Sequence, residues 1–196
     1  MLTSSISGEG KTFCAVNLAT IYAKSGKKTI VVGADMRKPK MFMSFTENND
    51  KGLSTYLSGS ASKKDIIHNS NIENLDYVKS GPVPPNPAEL LGKEQMRNFI
   101  KDLKKEYEYI IIDSAPIFIV SDSISLMESV DLNIYILRQN YTKRELLFYA
   151  NNFYDSEKLK NISIILNDVD FSDNYAYNYA YIYGYNYDYS GYYDIE

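Results

Sequence analysis

The stretch Ser4-Ser5-Ile6-Ser7-Gly8-Glu9-Gly10-Lys11-Thr12 constrains this chain more than any other, because it opens directly into an apolar helix. Gly8 and Gly10 let the backbone turn tightly and bring its N–H groups close to an anion. Lys11 supplies a point charge for outer phosphates, and Thr12 a hydroxyl of the kind that ligates Mg²⁺. The helix behind them adds the positive end of its dipole. The pattern departs from G-x-x-x-x-G-K-[ST] at its first glycine, where Ser5 stands. The alternative is a glycine-containing turn that binds nothing.

A phosphate loop hangs from the end of a buried strand, typically of about five residues. Met1-Leu2 is nearly all that precedes the loop. That first strand is therefore expected to be largely missing, with the chain beginning inside a domain. Downstream, Ala15, Leu18, Ala19 and Tyr22 recur at helical spacing and predict a helix over Thr12–Ser25, stopped by Gly26. Thr29–Val32, Leu75–Val78, Tyr109–Asp113, Asp131–Arg138 and Ile162–Leu166 read as strands. Short helices are expected at Gly52–Leu57 and Lys63–Ile67. One long helix is expected from Asn86, as cap, through Pro87 to about Tyr107. Its apolar set is Leu90, Leu91, Met96, Phe99, Ile100 and Leu103. Another is expected over Thr142–Tyr154, with Thr142 and Glu145 forming a capping box. Strands alternating with helices predict an α/β fold of the P-loop NTPase type, a mostly parallel sheet with helices on both faces. Residues 1–167 form that domain, and 168–196 a flexible, disordered tail.

Two acids stand at strand ends. Asp35 follows Thr29–Val32 in Gly33-Ala34-Asp35-Met36-Arg37-Lys38-Pro39, where ligands bind in open α/β sheets. A surface-turn acid is the alternative. Asp113 ends Ile110-Ile111-Ile112-Asp113, which suits an acid meeting Mg²⁺ or its waters. Asn167 sits at the end of the last strand. Cys14 and His68 are the single cysteine and single histidine, so a disulfide framework and a Cys/His zinc site are excluded. His68 reads as a solvated loop residue. A net charge of −4 argues against a basic nucleic-acid face, and no run of 18 apolar residues predicts a membrane span.

Tyrosine occupies every second position from Tyr175 to Tyr189, and Tyr192 and Tyr193 follow. A strand with one aromatic face and a low-complexity, aggregation-prone segment are both compatible with this pattern. Gly and Asn spacers and the terminal position favour accessible hydroxyls. Four phosphates, at about −1.5 to −2 charges each, would outweigh the net charge of −4.

At this point the chain resembles the bacterial tyrosine kinases of capsular and exopolysaccharide biosynthesis. The resemblance rests on Thr3-Ser4-Ser5 through Thr12, on Ala34-Asp35-Met36-Arg37-Lys38-Pro39, on Ser80-Gly81-Pro82 with Pro85-Asn86-Pro87-Ala88-Glu89-Leu90-Leu91, on Ile112-Asp113-Ser114-Ala115-Pro116, and on the tyrosine cluster. It implies an ATP-dependent tyrosine autokinase acting between neighbouring subunits of a ring. The acceptors would be Tyr175, Tyr177, Tyr179, Tyr181, Tyr183, Tyr185, Tyr187, Tyr189, Tyr192 and Tyr193. Lys11, Asp35 and Asp113 would be catalytic. ATP would be held at Ser7, Gly8, Glu9, Gly10, Lys11, Thr12, Phe13 and Asn167, and Mg²⁺ at Thr12, Asp35 and Asp113. The implied partners are a second copy of the chain, a membrane polysaccharide co-polymerase that activates it (fused upstream or separate), and a tyrosine phosphatase. The implied place is the inner face of the plasma membrane. The helix such kinases use for ring formation lies before the loop and is absent here, so the chain by itself is expected to be monomeric.

Many relatives carry Asp-x-Asp in the second acidic motif, and Gly33 replaces the first of these acids. Asp35 is then the residue expected to orient the acceptor hydroxyl. Two other functions fit the same loop. One is a partitioning or division-site ATPase, against which Ile6 counts, since those proteins carry lysine there. The other is an inactive binding module phosphorylated by another enzyme.

Overall fold

Leu2–Ser4 (β1) lies inside a seven-stranded sheet, between Tyr109–Asp113 (β5) and Asn133–Arg138 (β6). The computed structural model describes residues 1–39, 49–117, 124–148, 151 and 161–170. The remaining strands are Thr29–Gly33 (β2), Ile67–Asn69 (β3), Leu75–Val78 (β4) and Ile162–Asn167 (β7), giving the order β3-β4-β2-β5-β1-β6-β7. Among the described residues all pairings are parallel except β3 with β4. Parallel strands put their carboxyl ends on one rim, so Ser4, Gly33, Asp113, Arg138 and Asn167 share it. The chain crosses from β1 to β2 on one side, returns to β5 next to β1, and then crosses to β6 on the other side, which makes the rim beside β1 the switch point where such sheets bind ligands.

Period two along the strands divides the core into two layers. Ile30, Val32, Ile112, Tyr135 and Leu137 face one layer, and Val31, Ile111, Ile136 and Leu2 the other. The second layer is roofed by Lys11–Lys24 (α1), whose Ala15, Ala19 and Ala23 are buried; small side chains let the helix sit close to the sheet. The first layer is roofed by Leu53–Leu57 (α2), Lys63–Ile66 (α3), Pro87–Gly92 (α4), Glu94–Leu103 (α5) and Ile124–Met127 (α6). Helices thus cover both faces, as the alternation predicts.

Three local expectations are corrected. The long helix from Asn86 is two helices, broken at Lys93, which is extended (ψ 151°). Gly92 is a poor helix former, and the bend lets Leu90–Leu91 and Met96–Phe99 enter the same apolar layer. His68 is not in a loop. It lies on edge strand β3, its ring 5.3 Å from that of Tyr77. Asn86 does precede α4, but its side chain donates to Glu89 Oε2 at 2.6 Å and does not cap the backbone. The tyrosine-rich segment lies outside the described residues, as does most of the helix expected over 142–154. Among the described residues no helix is long and apolar enough to cross a membrane.

Candidate active site

The loop from β1 to α1 is held in shape by its own buried side chains. Ser4 Oγ donates to Ile6 O at 2.8 Å, and the Ser5 hydroxyl pairs with the Tyr135 hydroxyl at 2.7 Å. Ser5 therefore occupies the first-glycine position as a buried, partnered hydroxyl. Glu9 is fully buried. Its carboxylate accepts the Ile6 N–H at 2.8 Å and the Thr142 hydroxyl at 2.5 Å. Its charge is spent inside the loop, so only its backbone N–H can face a phosphate. The expected capping box at Thr142 is corrected by the same contact: Thr142 Oγ1 accepts Arg138 N–H and donates to Glu9, while Lys143 precedes the 3₁₀ turn Arg144–Leu146. Gly8 and Gly10 take φ of 92° and 98°, a region L side chains rarely adopt.

Lys11 and Thr12 begin α1, so their N–H groups lie in its first turn, at the positive end of the helix dipole. Lys11 is 7% exposed and its Nζ donates to Ser4 Oγ at 2.9 Å. Thr12 Oγ1 donates to Asp113 Oδ2 at 2.7 Å. Asp113 is buried, and its Oδ1 meets no hydrogen-bond donor among the described residues. Burial pushes its pKa up to about 6, and Asp35 adds to the rise; the Thr12 hydrogen bond and the Lys11 charge oppose it.

Asp35 reaches the same rim because β2 and β5 are in register, Gly33 beside Asp113, and Ala34 N–H and Asp35 N–H both donate to Asp113 O. Its carboxylate accepts the N–H groups of Arg37 and Lys38 through Oδ1, an Asx turn that orients it. A cavity of about 160 Å³ opens between these elements, lined by Ser7, Gly8, Gly10, Lys11, Thr12, Phe13, Asp35 and Lys38. Phe13 stands at its mouth, 66% exposed. Asn167 lies at the loop but donates to Glu9 O at 3.1 Å. The structure thus brings Lys11, Thr12, Asp35 and Asp113 together on one rim from three parts of the chain.

The donor set suits a magnesium nucleotide. Among the described residues no three His, Cys, Asp or Glu side chains form a ready cage. Mg²⁺ takes few protein ligands and completes its shell with waters and phosphate oxygens. The partnerless Asp113 Oδ1 and the Thr12 hydroxyl offer that kind of partial shell. Three residues for which no site role was expected also belong here. Arg138 ends β6, Tyr141 and Thr142 follow it, and all three bond to the loop. Their one sequence signal was position, at or just past a parallel strand's carboxyl end.

Comparison with known proteins agrees with this geometry. The AAA domain family matches residues 3–172. The tyrosine-protein kinase YwqD of Bacillus subtilis is 34% identical over 177 residues, covering 90% of this chain and 75% of that protein. A putative tyrosine-protein kinase in the cps region of Klebsiella pneumoniae is 35% identical over 157 residues; the match covers 80% of this chain and 22% of that protein, so the chain spans about a fifth of that relative's length. Among solved structures, the chimerical protein CapA2B2 superposes with a TM-score of 0.81 at 32% identity, covering 86% of this chain and 74% of the other. The septum site-determining protein MinD of Pyrococcus horikoshii, complexed with Mg-ADP, superposes at 0.68 with 23% identity over 84% of this chain and 68% of its own, a likeness of fold.

Proposed function

This chain belongs to the AAA domain family, among its bacterial tyrosine-protein kinases, and from that premise we propose that it moves the γ-phosphoryl group of ATP onto tyrosines of its own C-terminal cluster. The observation that carries the site is the hydrogen bond of 2.7 Å from Thr12 to Asp113, which sets a hydroxyl and a buried carboxylate beside Lys11 at the phosphate loop. Bound Mg²⁺ would neutralise phosphate charge there, with Thr12, Asp113 and Asp35 on its side of the cavity.

Phosphoryl transfer through a loose transition state depends on positioning and charge neutralisation. Lys11 leaves Ser4 for the outer phosphates. The loop N–H groups and the start of α1 hold the remaining oxygens; Ser7, Gly8, Glu9, Gly10 and Phe13 are the contacts assigned to the nucleotide. Asp35, already turned by its Asx bonds, orients the acceptor hydroxyl. The tyrosyl oxygen bonds to the γ-phosphorus as the bond to the β-phosphate oxygen breaks, and the phenol proton leaves through Asp35 to solvent.

The acceptors assigned are Tyr175 to Tyr193 of the cluster, on a neighbouring copy of the chain. An activating membrane protein and a tyrosine phosphatase complete the cycle, and the kinase works at the inner face of the membrane in capsule or exopolysaccharide production. The names of the relatives support this: one lies in a cps region, and CapA2B2 joins two components in a chimera. The test is incubation with ATP and Mg²⁺, followed by mapping of phosphotyrosine by mass spectrometry, with Lys11→Met as control. Phosphate within Tyr175–Tyr193 that depends on Lys11 is the expected result. Its absence would sink the kinase reading, and ATP hydrolysis without phosphotyrosine would favour a scaffold ATPase.

A further inference from the structure

Three consecutive peptide carbonyls of the phosphate loop are each taken by a side chain from the ends of β6 and β7. Tyr141 Oη donates to Ser7 O at 2.9 Å, Arg138 Nη1 to Gly8 O at 3.0 Å, and Asn167 Nδ2 to Glu9 O at 3.1 Å. Among the described residues there are no cis peptide bonds, and in a planar trans peptide the C=O and the following N–H point in opposite directions. Drawing the carbonyls of Ser7, Gly8 and Glu9 toward β6 and β7 therefore turns the N–H groups of Gly8, Glu9 and Gly10 the other way. None of those three N–H groups donates to a protein group among the described residues. Gly8 and Gly10 have positive φ and Glu9 between them does not, an alternation that makes backbone N–H groups converge on an anion.

The side chains that take the carbonyls also press on the glycines. A Cβ on Gly8 would stand 2.7 Å from Tyr141 Oη, and one on Gly10 would run into the Asn167 amide. Arg138 is itself held, by Asp168 at 2.8 Å and by lying over the Tyr141 ring at 5.2 Å.

We propose that Tyr141, Arg138 and Asn167 are positioning residues for phosphoryl transfer: they hold the loop carbonyls so that three successive N–H groups face the phosphates before nucleotide arrives. This rests on the nucleotide site of the kinase reading and adds a role that these three residues play through the loop's backbone. Preset donors need no reorganisation when charge develops, and that is the source of their effect.

The test measures affinity for MgATP and for magnesium tripolyphosphate, which has the phosphates and lacks the base. It compares the wild type with Tyr141→Phe, Arg138→Met and Arg138→Lys. Tyr141→Phe, which removes one oxygen, is expected to weaken both ligands by the same factor, about five- to tenfold. Arg138→Met is expected to weaken both by about ten- to a hundredfold, and Arg138→Lys to recover much of the loss, since an ammonium can still donate to Gly8 O. A purely structural role would lower the melting temperature of the ligand-free chain and leave the affinity of the folded protein alone. Wild-type tripolyphosphate affinity in folded Tyr141→Phe and Arg138→Met would overturn the proposal. Should Arg138→Met not fold, Tyr141→Phe decides. ATP binding that depends on Lys11, without phosphotyrosine, sinks the kinase reading and spares this one; phosphotyrosine formation with unchanged affinity in both variants does the reverse.

Discussion

Thr12 and Asp113, 101 positions apart, are joined by one hydrogen bond of 2.7 Å that ties the first turn of α1 to the end of β5. The carboxylate at the end of that bond is buried, with a pKa raised from 3.8 to about 6. Burial of a charge costs stability, and this one is kept where a cation would compensate it.

A pH prediction follows from the sign of that shift. A carboxyl with a raised folded pKa binds its proton more tightly when folded. Its stabilising contribution is present in full below the ordinary value of 3.8 and is lost as pH rises through about 6. Asp113→Asn mimics the neutral form. Urea denaturation of the ligand-free protein should show wild type and variant about equal near pH 4, and the variant more stable by about 1–3 kcal/mol near pH 7.5. The same variant should lose Mg²⁺-dependent ATP binding. A variant less stable than wild type at the higher pH would contradict the argument.

Gly10→Ala should fail twice over. The residue sits at φ 98°, and its new Cβ would run into the Asn167 amide. A loss of about 1–3 kcal/mol is expected from the backbone alone, read by thermal denaturation, with weaker ATP binding in titrations.

Glu9 is worth testing because its carboxylate serves the loop from inside. Glu9→Ala leaves the Ile6 N–H and the Thr142 hydroxyl without their acceptor, and should cost about 1–3 kcal/mol. Glu9→Gln keeps an acceptor oxygen and should retain most of the stability. Equal losses in the two variants would mean that packing, and not hydrogen bonding, is what Glu9 provides.

Ser5 and Tyr135 should couple. Each hydroxyl is buried against the other at 2.7 Å. Tyr135→Phe strands the Ser5 hydroxyl and should destabilise by about 1–2 kcal/mol, whereas Tyr135→Phe with Ser5→Ala removes both groups and should cost less than the sum of the single changes. Additive losses in a double-mutant cycle would show that the two hydroxyls do not depend on each other.

Much of this was legible in the residues themselves. Val31 and Val32, or Ile111 and Ile112, are apolar runs because both sheet faces are covered, and such runs announce buried parallel strands. The loop residues and Asp113 were legible because phosphate and metal chemistry demand those residue types at those spacings. β3 was not legible: three residues containing one histidine carry no period, and antiparallel pairing with β4 is what makes them a strand. The break at Lys93 was hidden because the apolar spacing continues across it. Thr142 and Glu145 satisfied a capping pattern, yet Thr142 was claimed by Glu9, 133 positions earlier.

The sequence by itself determined that a phosphate loop meets an apolar helix, that acids close two buried strands, and that tyrosines gather at the far end of the chain. These are local matters of residue type and spacing. Only the tertiary structure decided that the ends of β6 and β7 grip the loop carbonyls, that Glu9 turns inward, and that Thr12 meets Asp113. Parallel strands bring their carboxyl ends to one rim whatever their separation along the chain, and hydrogen bonds across that rim leave no trace in local pattern.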